Sequence, residues 1–422
     1  MARTKALLPD GSRVTDFISL GVIAKTFPRG KVSKILNQTG RESTRLRDLP
    51  AHVVVYYVIA LALYMQSSYK EVMRCLLEGV GWLLDKNEPP KIVVDSAISQ
   101  ARTRLGWEPM QQLHDEVVKP IATETTRGAW FKGLRVVSLD GSCLDVPDEE
   151  GNAREFGRQT ATRGETAFPQ IRFVSLVENG THVLFGSRMA PYEISENELA
   201  KEVLPFLTSG MLCLADRGFY GFNLFSKAWA TGADLLWRTR MNADLPREKV
   251  LEDGSFLSRI YPTPHDKVHG RGGVTIRVVE YKLEGIEGSE PLYRLATTLM
   301  DPKVAPAAEL AALYHERWEI ETSLDELKTH LRGSRIVLRS KRPDLIRQEF
   351  YGLIMAHFAV RALMHEAALT GDVDPDRLSF LHSVRVIRRK LARFASLPPS
   401  GVAQTARQHH SGDPGGARQV ES

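Results

Sequence analysis

The 422-residue sequence contains few cysteines and no long apolar segment. Cys75, Cys143 and Cys213 are odd in number and far apart, which excludes a disulfide scaffold and suggests a reducing compartment. The longest apolar run, residues 53–65, is too short to span a bilayer and predicts a buried helix. No apolar segment follows the basic residues at the N-terminus, so we predict no signal peptide. We therefore expect a cytoplasmic location and no membrane partner.

Several catalytic signatures are also missing. The sequence contains neither G-x-S-x-G nor a Walker Gly-Lys-Ser/Thr, so neither a serine hydrolase nor a P-loop enzyme is favoured. His265 and His269 have the spacing of zinc ligands, but no cysteine pair accompanies them, which disfavours a zinc site. We interpret the glycine-rich turn 269–273 as a hairpin loop, because no helix that could bind phosphate begins after it.

Charge is distributed unevenly along the chain. Residues 1–50 carry ten Lys and Arg against four Asp and Glu, and residues 328–407 carry fifteen against six. The intervening segment, 51–327, has a net charge of −9. Basic arms suit a polyanionic partner and an acidic middle suits metal-binding carboxylates, although solvated helix faces are the alternative interpretation.

The first 130 residues are predicted to be all-helical. One predicted helix, 95–105, is stopped by a glycine, and its Gln100, Arg102 and Arg104 would be exposed in a helix that lies on DNA. This is a weak helix-turn-helix signal, and a plain helical bundle is an equal alternative.

Residues 133–240 alternate between strand and helix patterns. Three strands, a helix, a strand, a helix and a strand follow in that order, which predicts a ribonuclease H-like α/β core. Asn179-Gly180 predicts a hairpin between the second and third strands. Residues 242–303 return to strand patterns, with a hairpin signal at Asp253-Gly254, and predict a β-rich insertion.

The predicted organisation therefore has four parts. Helices are predicted at 341–370 and 376–395, and the Pro- and Gly-rich end is predicted to be disordered. The parts are a helical DNA-binding domain at 1–130, a catalytic domain at 131–340, C-terminal helices at 341–395 and a disordered tail at 396–422.

Two aspartates share the same setting. Asp140 and Asp216 each end an apolar strand and are followed by a Gly or Arg-Gly turn. Adjacent strands would place both carboxylates at one edge of a sheet, where they are costly unless they are paired or bind a cation. Asp145, in the segment that follows Asp140, is the main rival for the first position.

The stretch 314–328 contains neither Gly nor Pro and predicts a helix. At about 100° per residue, Tyr314, Arg317, Glu321 and Lys328 share one stripe, whereas the other glutamates point elsewhere. A solvated charged edge is the alternative interpretation. If Glu321 joins the two aspartates, three carboxylates require divalent metal, and oxygen ligands indicate Mg²⁺ or Mn²⁺. Two such ions support phosphodiester cleavage or transfer.

These motifs resemble bacterial insertion-sequence transposases of the insertion element four family. The spacing Tyr-x2-Arg-x3-Glu-x6-Lys from residue 314 matches that family's signature. The segments around Asp140 and Asp216 resemble its two aspartate segments, and residues 46–80 and 96–107 resemble its N-terminal domain. The resemblance covers roughly residues 15–395.

The resemblance implies roles for individual residues. Asp140, Asp216 and Glu321 would be a DDE triad that holds two Mg²⁺ or Mn²⁺ ions. Phosphates at the transposon end would be held by Tyr314, Arg317 and Lys328, with Arg217 as a further DNA contact. Trp237 is a candidate for stacking on a flipped base, with a core tryptophan as the alternative.

The activity implied by the resemblance is cut-and-paste transposition. The protein would bind terminal inverted repeats, release the element through a DNA hairpin and join it to target DNA, as a homodimer at the bacterial nucleoid. The alternatives are an inactive DNA-binding repressor and a ribonuclease H-like, structure-specific nuclease without joining activity.

Overall fold

The structure is a computed structural model that describes most of the chain. The described residues are 19–44, 49–78, 95–161, 164–283, 290–315, 318–333 and 337–390. Arg317 and the predicted tail 396–422 lie outside the described residues.

Helices and strands alternate in the middle of the described chain, and helices prevail towards both ends. The helices are α1 (Ser19–Thr26), α2 (Arg29–Gln38), α3 (Ala51–Leu63), α4 (Tyr69–Glu78), α5 (Asp95–Leu105), α6 (Glu108–Val117), α7 (Glu150–Phe156), α8 (Glu196–Val203), α9 (Phe222–Trp229), α10 (Pro264–Val268), α11 (Ala307–His315), α12 (Trp318–Asp325), α13 (Pro343–Gly371) and α14 (Phe380–Lys390). The strands are β1 (Trp130–Phe131), β2 (Leu134–Asp145), β3 (Thr160–Ala161), β4 (Gly164–Glu165), β5 (Gln170–Glu178), β6 (Val183–Pro191), β7 (Met211–Ala215), β8 (Asp234–Arg238), β9 (Lys249–Val250), β10 (Phe256–Ile260), β11 (Val274–Tyr281) and β12 (Tyr293–Thr297). A π-helix spans Glu326–Leu331.

The chain divides into two compact units. Residues 1–119 and 326–422 form one, here called the helical unit, and residues 120–325 form the other, the sheet unit. The four-part division of the sequence stays a prediction. No helix in the described part of the chain is both long and apolar enough to cross a membrane.

The helical unit is organised around α3 and α13, which pack against each other. The apolar run predicted as a buried helix is α3, which begins after Pro50, and the prediction is confirmed. Gly352 of α13 lies against the backbone of Val58, because a Cβ there would stand 2.8 Å from the Val58 carbonyl oxygen. A side chain at residue 352 would force these two helices apart.

Helix α5 differs from its prediction in one respect. Gln100 and Arg104 are exposed as expected, but Arg102 is only 2% exposed. Its guanidinium donates hydrogen bonds to Gln348 and Ser340 inside the helical unit. The expectation of an exposed Arg102 is wrong because the side chain finds buried acceptors on the C-terminal part of the same unit.

The sheet unit contains one large mixed sheet, and the predicted α/β character is confirmed. Its strand order is β6-β5-β2-β7-β8-β12-β11-β10-β9. Strand β5 runs antiparallel to β2, and β6 runs antiparallel to β5, so β6 has the same direction as β2. On the other side, β7 and β8 continue parallel to β2. The predicted β-rich insertion supplies β9–β12, which extend the same sheet from β8.

Turn signals mark the strand ends correctly. β5 and β6 flank Asn179-Gly180, and Gly180 has a φ of +77°. A Cβ at Gly180 would lie 2.2 Å from the carbonyl oxygen of Arg127, so a larger residue would clash there. The turn 269–273 joins antiparallel strands β10 and β11, as predicted, but helix α10 lies in the same connection.

Candidate active site

The backbone register places Asp140 and Asp216 next to each other. Leu139 of β2 pairs in parallel with Ala215 of β7, and each aspartate is the next residue along its chain. Neighbouring strands lie about 4.8 Å apart, and residues in register point to the same face. Both aspartates are half-buried. The predicted meeting of these two carboxylates is therefore consistent with the strand register.

The sequence predicted that Asp140 ends its strand, and this prediction is wrong. β2 continues to Asp145 because β5 pairs with it beyond the point where β7 stops. Asp140 thus lies where one neighbouring strand ends and the other continues. This leaves its carboxylate beside the open end of β7.

Asp145 lies on the opposite face of β2. It is five residues beyond Asp140, and side chains alternate between faces along a strand. Its carboxylate accepts a hydrogen bond from Gln170 Nε2 at 2.7 Å. The geometry favours Asp140 over this rival.

Each aspartate is held by a backbone amide of its own turn. Asp140 Oδ1 accepts from the amide of Gly141 at 2.8 Å, and Asp216 Oδ1 accepts from the amide of Gly218 at 2.7 Å. These bonds orient one oxygen of each carboxylate. A Cβ at Gly218 would stand 3.0 Å from Asp216 Oδ1, so a larger residue would crowd this oxygen.

Helix α11 covers the sheet face that carries the aspartates. Leu310 and Leu313 share a buried cluster with Val136, Leu212 and Leu214. Side chains alternate between the two faces of a sheet along each strand. Each of these strand residues is an even number of positions from the aspartate of its own strand, so it points to the same face as that aspartate. The end of α11 therefore lies on the acid-bearing side of the sheet.

Tyr314 contacts the backbone beside Asp216. It is only 6% exposed, and its hydroxyl donates to the carbonyl oxygen of Ala215 at 3.3 Å. A hydroxyl engaged in this way supports the turn that carries Asp216. The expected direct phosphate contact of Tyr314 does not agree with this burial.

Glu321 lies on α12, which packs against β2, and its side chain is exposed. Within the described residues, no three His, Cys, Asp or Glu side chains gather closely enough to hold a metal ion. The two aspartates match the oxygen ligands that Mg²⁺ and Mn²⁺ prefer. The strand register is thus consistent with a meeting of Asp140 and Asp216, and the predicted triad stays a prediction.

Lys328 belongs to the π-helix of the helical unit and is half-buried. A π-helix forms i→i+5 hydrogen bonds, so its angular step differs from that of an α-helix. The predicted 100° spacing therefore does not apply at Lys328.

Glu196 is an acid near this site that the sequence analysis missed as a site residue. A Cβ at Gly141 would lie 3.0 Å from its carboxyl group. Burial raises the pKa of Glu196; the charge of Arg172 opposes this shift and that of Asp216 adds to it. The sequence signal was the glycine directly after Asp140, which leaves space for this carboxyl group.

Helix α8 places Glu196 there. Ser195 caps the N-terminus of this helix, because its Oγ accepts from the amide of Glu198 at 3.2 Å. Asn197, which follows Glu196, donates from Nδ2 to the carbonyl oxygen of Gly218 at 2.9 Å. The N-terminus of α8 is thereby attached to the Asp216 turn.

Arg217 is exposed but paired. Its Nη1 donates to Glu290 at 2.6 Å, and the other Glu290 oxygen binds Arg238 at 2.5 Å. Burial by itself would lower the pKa of Arg238. The hydrogen bond to Glu290 and the charge of Glu290 outweigh burial and leave the pKa of Arg238 raised. Glu290 therefore offsets positive charge beside the Asp216 turn.

Trp237 lies in the core, and its predicted base-stacking role is wrong. It is 0% exposed in β8, a strand between β7 and β12. Its ring packs edge-on against Phe225, with ring centroids 5.3 Å apart. An indole enclosed on a central strand cannot reach a flipped base.

The fold and the aspartate pair define an α/β protein with acidic residues on one sheet face, and comparisons with known proteins identify its family. The profile described as "Transposase DDE domain" matches residues 131–359, more than half of the chain. The profile described as "Insertion element 4 transposase N-terminal" matches residues 17–115. The chain therefore belongs to the DDE transposases of the insertion element 4 type, which are enzymes that act on DNA.

Two curated relatives come from Escherichia coli (strain K12). Transposase InsG for insertion sequence element IS4 is 29% identical over 384 residues, covering 89% of this chain and 84% of that protein. Putative transposase InsZ is 26% identical over 220 residues, covering 52% of this chain and 71% of that protein.

A solved structure of piggyBac transposase, a synaptic complex with hairpin DNA, shows a more distant likeness. It has a TM-score of 0.47 and 12% sequence identity, covering 95% of this chain and 87% of that chain.

Proposed function

We propose that this transposase binds the terminal inverted repeats of its insertion sequence and catalyses cut-and-paste transposition. End cleavage proceeds through a DNA hairpin and is followed by strand transfer into target DNA. The single observation that carries the proposal is the parallel pairing of Leu139 with Ala215. This pairing supports a site at which Asp140 and Asp216 act together.

The core of the sheet unit is proposed to be ribonuclease H-like. In strands β2 and β5–β8, the first strand is central, and the next two form an antiparallel meander on one side of it. The last two lie parallel to the central strand on the other side. This arrangement supports the fold expected from the order of sequence patterns.

Asp140 and Asp216 would hold divalent metal, Mg²⁺ or Mn²⁺, with Glu321 of α12 as the third ligand. Bound ions, two in the proposed site, supply an activated oxygen nucleophile and stabilise the leaving oxygen. The two aspartates present oriented oxygens because the amides of Gly141 and Gly218 hold the other side of each carboxylate.

Four further residues are proposed to position DNA. Tyr314 would act as a positioning residue through Ala215. Arg317, Lys328 and Arg217 are proposed phosphate contacts, because guanidinium and ammonium groups bind phosphate oxygens. Arg217 would exchange its bond to Glu290 for a phosphate.

The proposed assembly is a homodimer bound to two transposon ends, working in the bacterial cytoplasm at the nucleoid. The predicted division into N-terminal DNA-binding, catalytic and C-terminal parts is retained as part of this proposal.

The test is Mg²⁺-dependent cleavage of a duplex that carries the inverted repeat flanking this gene. We expect Asp140→Asn, Asp216→Asn and Glu321→Gln each to reduce cleavage more than about 100-fold, since losing a residue that only hydrogen-bonds to a metal ligand already reduces activity about 10- to 100-fold. Asp145→Asn, on the other face of the same strand, is the matched control and should cut within a few-fold of the unmodified protein. Normal cutting by any triad variant would show that its residue is misassigned.

The products separate the alternatives. Hairpin ends and joined target DNA support transposition, whereas cleavage without joined products supports a structure-specific nuclease. DNA binding without cleavage in either Mg²⁺ or Mn²⁺ would instead support an inactive repressor.

A further inference from the structure

A basic cavity lies within the helical unit, between α5 and the segment that leads into α13. Its volume is about 610 Å³, in the range of cavities that hold ligands. Among the described residues that line it, five are cationic and none is Asp or Glu. The cations are Arg102, Arg104, Arg339, Lys341 and Arg342.

Arg102 forms part of the floor, where it is 2% exposed. Its Nε donates to Gln348 Oε1 at 2.8 Å, and its Nη2 donates to Ser340 Oγ at 3.0 Å and to the carbonyl oxygen of Leu345 at 3.2 Å. These acceptors are neutral. They satisfy hydrogen bonds of the guanidinium, and Ser340 Oγ itself donates to the buried carboxylate of Glu349 at 2.6 Å.

Arg339 is held in the same way on another wall. Its guanidinium lies over the ring of Tyr69, 4.4 Å from the centroid. It donates to the carbonyl oxygens of Ser67 at 2.6 Å and Tyr64 at 3.3 Å. Two fixed arginines therefore direct positive charge into the cavity, and a charge in such a setting favours a bound anion.

In the described part of the chain, Glu349 and Asp344 are carboxylates that lie near these cations. Glu349 is buried and accepts from the amides of Arg339 and Ser340, at 2.9 and 3.0 Å. Asp344 lies 3.8 Å from Arg342 at the exposed rim. The cavity is therefore lined by five cations, and neither of these two carboxylates is among its lining residues.

The remaining cations are at the mouth of the cavity. Arg104, Lys341 and Arg342 are exposed. Arg342 Nη1 donates to Thr103 Oγ1 at 3.3 Å, which connects the two rims. Exposed cations at the mouth and fixed arginines at the floor match a backbone of repeated negative charges better than they match a single ion.

We propose that this cavity binds the phosphodiester backbone of the transposon DNA, as a contact separate from the aspartate site. Guanidinium groups bind phosphate oxygens in bidentate geometry, and phosphate contacts position a protein on DNA without reading its sequence. The proposal rests on the proposed function, because it takes its ligand to be the DNA on which the transposase acts.

The test measures DNA binding in an Asp140→Asn background, so that cleavage does not intervene. A labelled terminal-repeat duplex is titrated from low to high salt with the intact cavity and with Arg104→Gln/Arg342→Gln. Each lost phosphate contact reduces the log-log salt slope by roughly 0.9. We expect weaker binding and a slope smaller in magnitude by about 1 to 2, whatever the sequence of the duplex.

A charge-matched control removes two exposed arginines elsewhere, Arg154→Gln/Arg377→Gln, and should keep the original slope. If the double cavity variant does not fold, as judged by thermal melting, Arg104→Gln alone provides the test with about half the change. An unchanged slope in a folded cavity variant would overturn the proposal.

Two further outcomes distinguish the causes of failure. Absence of DNA binding with the cavity intact would contradict the proposed function itself. Micromolar binding of a mononucleotide that is lost in the cavity variant, with an unchanged DNA slope, would overturn the DNA assignment in favour of a small-anion site.

Discussion

The two units of this transposase position their charged groups by different means. In the sheet unit the strand register sets Asp140 beside Asp216. In the helical unit, by contrast, charged side chains such as Arg102 and Glu326 are buried and held by other side chains. Backbone register tolerates many neighbouring residues, whereas a buried side-chain network depends on every member.

Glu326 shows this dependence most clearly. It is 4% exposed, and both its oxygens bind Arg361, which is 2% exposed. His357 Nε2 lies 3.4 Å from the same carboxylate. Glu326 is also the first residue of the π-helix that carries Lys328.

The largest effect expected in the sheet unit comes from Trp237→Ala. Removing a fully buried tryptophan costs about 3 to 5 kcal/mol of the free energy of unfolding. Trp229→Ala, 39% exposed, is the control and should cost within about 0.5 kcal/mol. Chemical denaturation measures both. A stable Trp237→Ala with weakened DNA binding would restore the base-stacking role that its burial contradicts.

A comparable loss is expected in the helical unit from Arg361→Met. Removing one partner of a buried ion pair costs about 3 to 5 kcal/mol, because the other charge is left uncompensated. Glu326→Gln/Arg361→Met removes both charges and should recover much of that loss. Unfolding by denaturant measures the stability of both variants. If the single and double variants are equally destabilised, lost packing and not the uncompensated carboxylate is responsible.

Gly141→Ala tests the contact beside the aspartate pair. The new Cβ would stand 3.0 Å from the carboxyl group of Glu196, so that carboxyl or the strand must move. We expect about a tenfold loss in cleavage rate, equivalent to about 1.4 kcal/mol.

The matched experiment adds Glu196→Ala to Gly141→Ala. Because it removes the crowding group, the double variant should cut faster than Gly141→Ala alone. If the second substitution does not improve the rate, crowding by Glu196 is not the cause of the loss.

The smallest expected effect depends on pH. Burial by itself would raise the pKa of Asp253. Hydrogen bonds from Ser255 and from the amide of Ala307, together with the charge of Arg277, outweigh burial and leave the pKa lowered. A carboxylate whose pKa is lower in the folded state stabilises the protein at pH values above its unfolded-state pKa of about 3.9. This stabilisation is lost as the pH falls through the folded-state pKa.

Asp253→Asn should therefore destabilise the protein at pH 7 by about 1 kcal/mol, typical of a lost hydrogen bond. The difference from the unmodified protein should shrink as pH falls below about 4. Asp244→Asn, at a side chain 79% exposed, is the control. A difference in unfolding free energy that stays constant from pH 7 to pH 3 would contradict the role of the carboxylate.

Local patterns predicted much of the fold because they act over short distances. The apolar run of α3, the turn at Gly180 and the cap at Ser195 each depend on neighbouring residues alone. Asp140 and Asp216 could be singled out from sequence because an apolar run followed by an acid is visible in a few letters.

Other positions could not be read from local patterns. Arg102 looks exposed on a helix wheel, but Gln348 and Ser340, far along the chain, provide buried acceptors. The end of β2 depends on which strand lies beside it, so Asp140 was taken to end its strand. Lys328 was placed by α-helical geometry, whereas its segment is π-helical.

The amino-acid sequence by itself determined the family, the order of helices and strands, and the two aspartates that follow apolar runs, because these are properties of short segments. Only the tertiary structure decided that Glu196 lies against Gly141, that Trp237 belongs to the core, and that five cations surround one cavity. Those facts depend on contacts between distant segments, and such contacts form only when the strands and helices have packed.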